Sequence, residues 1–128
     1  MIWTEAYRLL RVKDNQPHTL FHGFHGSRKL TQDKTLRAVE RHVYNPGKRG
    51  KSPGFLSGWH VLPTKEQCVS YLERFTAKDD IVVCRVMVAM PRYKPRSKVF
   101  LVRYMKIDSL DWGTALQEYG YGQTSKAV

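Results

Sequence analysis

The stretch Ile81–Met90, IVVCRVMVAM, is apolar at nearly every position, and Arg85 is its one charge. A strand with one face in water alternates apolar and polar residues. A run without alternation belongs inside a sheet, covered on both faces. The rest of the chain must therefore supply neighbouring strands and two layers of cover. A charge in such a strand either reaches an edge or a ligand site or meets a carboxylate, and Arg85 is expected to do one of these.

The flanks can meet that demand. Ala6–Val12 alternates charge with bulk, Tyr7 and Leu9 on one side and Arg8 between them, as a first, partly exposed strand. Asp14-Asn15-Gln16-Pro17 is turn chemistry, and His18–Phe24 reads as a second strand ended by glycines. Leu36, Val39 and Val43 recur at helical spacing, which predicts a helix over Leu30–Val43 capped by Asp33 or Thr35. Phe55–Leu62 forms a strand around Trp59 and Val61. Thr64 and Gln67 then make a capping box for a helix that buries Cys68, Leu72 and Phe75. Pro91–Arg96 breaks the central pattern, and Ser97–Ile107 is the last strand. Trp112 is expected to dock on the body, with residues 113–128 as a loose tail. The order β-β-α-β-α-β-β predicts one α+β domain over residues 1–128, with a small mixed or antiparallel sheet and two packed helices.

The 128 residues carry a formal charge of +11. An excess of this size attracts polyanions: nucleic acid, acidic protein surfaces or anionic membranes. Between Ser27 and Lys51 there are eight basic residues against Asp33 and Glu40, and from Arg92 to Lys106 six against none. Lys48, Arg49 and Lys51 in the loop around residues 45–54, with Arg92, Lys94 and Arg96, are the candidate polyanion contacts, and aromatic residues stand close by for stacking. No apolar run approaches the roughly 18 residues that span a bilayer, and Glu5 and Arg8 interrupt any signal-peptide core, so a cytoplasmic protein with no membrane partner is expected. Cys68 and Cys84 lie in apolar patterns and read as buried thiols. The spacing of His22 and His25 is a poor zinc pattern, and no metal is expected.

Leu20-Phe21-His22-Gly23, followed by Gly26-Ser27-Arg28-Lys29-Leu30, resembles the His-Gly start of the ADP-ribosyltransferase fold of poly(ADP-ribose) polymerase and diphthamide type. SGWHVLPTKEQCVSYL is similar to that family's glycine, strand and helix passage, and IVVCRVMVAM to its core strand, so the likeness covers about residues 20–90. The resemblance implies an ADP-ribosyltransferase-like fold with NAD as cofactor, held by His22, Gly23, Arg28, Trp59 and His60. His60, with Trp59 beside it, stands where the family has a tyrosine, and Glu118 is the only late glutamate for a catalytic role beside His22 and His60.

Three functions follow as expectations. The first is an ADP-ribosyltransferase-like protein, active or degenerate, that acts on or binds a host nucleic acid or nucleoprotein. The second is a non-enzymatic inhibitor that binds nucleic acid or protein, by analogy with small basic proteins encoded by phages and mobile elements. The third is a metal-independent nuclease in which His22 and His60 act as base and acid.

Overall fold

The apolar run is the middle of the fold. The computed structural model describes residues 1–20, 28–43, 55–75, 79–93 and 97–126. In it the central strand is β7 (Ile81–Tyr93), and β1 (Thr4–Lys13) pairs antiparallel along one edge from Arg11–Ile81 to Thr4–Val88. β8 (Phe100–Lys106) takes the other edge from Met87–Lys106 to Tyr93–Phe100. Outside these lie β2 (Gln16–His18) on β1, and both β3 (Leu36–Arg37) and β6 (Trp59–Val61) on β8. Every pairing in this sheet among the described residues is antiparallel, which favours the antiparallel of the two sheet types expected. β4 (His42–Val43) and β5 (Phe55–Leu56) form a separate two-stranded ladder.

The sheet curls until its ends meet. Just after β6, the Leu62 N–H donates to the Tyr7 carbonyl and the Leu62 carbonyl accepts from the Tyr7 N–H, both at 2.8 Å. The circuit β1-β7-β8-β6 thus closes on β1 and satisfies edge groups that an open sheet would leave exposed. Two turn residues set up the other end of β1. Asp14 and Asn15 have φ of 53° and 62°, the pair of positive angles that a two-residue hairpin needs.

Both faces of β7 are covered, as the sequence requires. Val82, Cys84, Val86 and Val88 join a cluster with Ala6, Leu10, Met105, Trp112 and Ala115. Ile81, with Val83 packed against it, joins Leu9, Leu62 and Cys68 in a second. The first cluster is closed by α2 (Ser109–Lys126), the second by α1 (Lys65–Leu72). The Thr64–Gln67 capping box is present at the start of α1, and Cys68 and Cys84 are free, buried thiols, each pushed up to about 12 by burial. Arg85 meets carboxylates, with Glu5 at 3.1 Å and Asp111 at 3.2 Å.

Three expectations are corrected. Residues 30–43 are not helical. Leu36 and Arg37 pair with Met105 and Tyr104, the Ala38 N–H donates to the Arg103 carbonyl, and Val39 is 66% exposed. Alternation of Leu36 and Ala38 inward with Arg37 and Val39 outward wins over the helical spacing, favoured by β-branched Thr31, Thr35, Val39 and Val43. Asp33 adopts φ 58° and does cap a helix, but the distant one: its carboxylate accepts from the Ser109 N–H at 2.9 Å and from the Ser109 hydroxyl. β7 also does not stop at Pro91. The proline lies beyond Val88, the last β7 residue paired to β1, on a stretch where a missing N–H breaks no bond to that neighbour. Finally, residues 109–126 form a helix in place of a loose tail. Trp112 docks as expected, 2% exposed, its indole N–H donating to the Asn15 carbonyl at 3.1 Å.

Gly113 sits inside α2, and a Cβ there would meet no atom within 4 Å. Its glycine therefore serves no close approach, and only the entropic cost of glycine in a helix remains. Gly113→Ala should stabilise the protein by about 0.5–1 kcal/mol in urea unfolding. A loss of stability would mean that α2 is not continuous there.

Candidate functional site

Four cations of the 27–51 stretch, Arg28, Lys29, Lys34 and Arg37, are presented by the non-helical segment that leads into and through β3. Thr19 and Arg28 bond backbone to backbone, the Arg28 N–H donates to Thr19 Oγ1 at 2.9 Å, and the Leu30 N–H donates to the Pro17 carbonyl at 2.8 Å. Leu30 and Ala38 are buried, so the chain is pinned at both ends and Arg28, Lys29, Lys34 and Arg37 stand exposed. These four line a cleft of about 430 Å³ whose wall includes Gly58 and Trp59. None of the four is ion-paired among the described residues. The Trp59 indole N–H donates to the Leu36 carbonyl at 3.0 Å, which ties the ring to the segment that carries the charges.

A second assembly holds this wall in place. Glu40 sits between two guanidinium groups, Arg92 at 2.5 Å and Arg103 at 2.6 Å, and its carboxylate is 13% exposed. Arg92 also donates to the carbonyls of Ser57 and Leu56. Gly58 follows at a point where a Cβ would lie 2.8 Å from the Val102 carbonyl oxygen and 3.1 Å from the Arg92 guanidinium. Glycine is required by that approach, and β6 begins at the next residue. Burial tends to raise the Glu40 carboxyl, but hydrogen bonds from Arg92 and Arg103 prevail and hold it below its ordinary value.

The candidate residues divide among several places. Arg28 and Trp59 share the basic cleft. His60, the next residue along β6, lines a different cavity, because neighbouring strand residues face opposite ways. Glu118 lines neither; it accepts from Lys65 Nζ at 3.0 Å and 3.2 Å, joining α2 to the first turn of α1. Arg92 is engaged within the fold as described. His22, Gly23, Lys48, Arg49, Lys51, Lys94 and Arg96 lie outside the described residues. The cavity beside His60 measures about 640 Å³ and is walled mainly by apolar and aromatic side chains.

Arg8 was not singled out from sequence. It occupies the same parity on β1 as the core residues Ala6 and Leu10, and that was the available signal. Its guanidinium carbon lies 5.4 Å from the Trp59 ring centroid, Nη1 donates to the His60 carbonyl at 2.9 Å, and Nε is buried without a partner among the described residues. Burial lowers it to about 10, so it remains a cation at neutral pH.

No family model matches the chain, and neither does any curated protein or any solved structure.

Glu40 gives a pH dependence with a definite sign. A carboxyl whose folded pKa is depressed contributes stability that is complete above the ordinary value of 4.5 and is lost as pH falls through the folded one. Glu40→Gln should therefore weaken the protein at neutral pH, and its deficit relative to wild type should shrink as the acid range is entered, read by urea unfolding. A deficit that is the same at acid and neutral pH would remove the clamp from the account.

Proposed function

We propose that this protein binds a polyanion, a single-stranded nucleic acid above all, through the cleft between residues 28–39 and β6. The observation that carries this reading is the grouping of Arg28, Lys29, Lys34 and Arg37 in one cleft with Trp59. Phosphates pair with exposed cations through counterion release, and a base finds an aromatic wall; together these make a sequence-tolerant single-strand site. The formal charge of +11 adds long-range attraction. Nothing in this arrangement reads base edges in a duplex groove, so the reading is of general rather than sequence-specific affinity.

A second reading is NAD binding by an ADP-ribosyltransferase-like domain. It is supported by Arg28 and Trp59 lining the same cleft, where a cation could meet a pyrophosphate and an indole a base. No carboxylate lines that cleft among the described residues, so this reading extends to holding the dinucleotide and not to transfer chemistry.

Fluorescence anisotropy with a labelled oligonucleotide of mixed sequence, titrated at several salt concentrations, tests the first reading. Four phosphate contacts give a log–log salt slope of about −3 for a single strand. Lys34→Glu with Arg37→Glu should weaken binding by about tenfold or more and flatten that slope. Unchanged affinity in the double variant would overturn the assignment of this cleft. Displacement of the oligonucleotide by NAD, lost in Arg28→Ala, would favour the second reading.

A further inference from the structure

The 640 Å³ cavity on the other side of β6 is a separate matter. Its size falls in the range of small-molecule sites, and most of its wall is apolar: Leu20, Leu62, Phe75 and Val99, with the rings of Tyr7 and Tyr71. A purely apolar cavity would say little about its occupant. This one has Arg8 in its lining.

Arg8 is a cation without a counter-charge among the described residues: no carboxylate pairs with it. The nearby Cys68 thiol, which also lines the cavity, is held neutral by burial and does not offset it. The His60 carbonyl takes Nη1, the Trp59 ring one face, and Nε is buried with no acceptor among the described residues, which leaves Nη2 as the donor for a ligand. A half-buried charge in this position is stabilised when an anion meets it. A guanidinium fork suits a carboxylate, and such charge-assisted bonds are about twice as strong as neutral ones.

We propose that this cavity binds a small amphipathic monocarboxylate, with its apolar body against Leu20, Leu62, Phe75 and Val99 and its carboxylate on the Arg8 guanidinium. Apolar contact alone would accept an alcohol or a cation of the same chain equally well, so the charge of Arg8 sets the preference for the acid. The site is independent of the polyanion cleft, and neither assignment rests on the other.

Isothermal titration with octanoate, octan-1-ol and octyltrimethylammonium tests this on wild-type protein, Arg8→Met and Val99→Trp. Octanoate should bind one to one, about tenfold or more tighter than octan-1-ol, and the ammonium should not bind. Arg8→Met should lower octanoate to the level of the alcohol. Val99→Trp keeps every charge but fills the cavity; it should remove octanoate binding and leave oligonucleotide binding as in wild type. Octanoate binding that survives Val99→Trp would reduce the effect to surface charge and overturn the proposal. So would equal affinity for acid and alcohol in wild type, or no octanoate binding by the folded protein.

Discussion

The two hydrogen bonds between Tyr7 and Leu62 convert an open antiparallel sheet into a closed circuit, and the cleft and the cavity on either side of β6 depend on that closure. Without it β6 would pair with β8 alone, through Trp59, His60 and Val61. With it, the strand is fixed on both sides over its last residues, and its alternation becomes a partition. Trp59 turns to the basic cleft and His60 to the apolar cavity. Arg8, one residue from the closing pair, is fixed beside both.

The charge of +11 is not spread as a uniform coat. Arginines hold the framework together: Arg11 with Asp80 at 2.8 Å, Arg85 with Glu5 and Asp111, Arg92 and Arg103 with Glu40. Their planar forks suit such fixed pairings to carboxylates and carbonyls. Exposed pairs of this kind add little stability singly. The Glu40 clamp is the more enclosed case, and its value is positional, because it sets the stretch from Leu56 to Gly58 over β8. The cations left over are concentrated in the cleft, where Arg28, Lys29, Lys34 and Arg37 have no ion-pair partner among the described residues. Paired and unpaired charge are thus separated by location among the described residues.

Much of this was legible in the chain. The apolar run gave the central strand and the need for two layers of cover, and Thr64 with Gln67 marked the start of α1, which ends at Leu72, short of the Phe75 counted on its face. Residues 30–43 were misread because a short segment with apolar residues three and four apart can also alternate, and the choice was made by β8, a partner distant in sequence. α2 was obscured by its glycines at 113, 120 and 122, which lower helix propensity, while Trp112 and Ala115 supply the tertiary contacts that offset them. The charge of the basic cleft was visible, but of its four cations Lys34 and Arg37 fell within the segment read as a helix and Arg28 and Lys29 before it. The set proposed for NAD was assembled from order along the chain. Alternation along the strand expected at Phe55–Leu62 already sets Trp59 and His60 on opposite faces, but which space each enters depends on the strands and helix packed around β6.

As proposed, closure of the sheet sets two separate anion sites, one on each side of β6. A competition measurement addresses it directly: oligonucleotide anisotropy recorded while octanoate is raised through saturation, at constant ionic strength. Separate sites predict that octanoate leaves the oligonucleotide affinity unchanged within about twofold, a difference below roughly 0.5 kcal/mol. Displacement of the oligonucleotide in proportion to octanoate occupancy would mean that both anions use one site, and would contradict the partition described for Trp59 and His60.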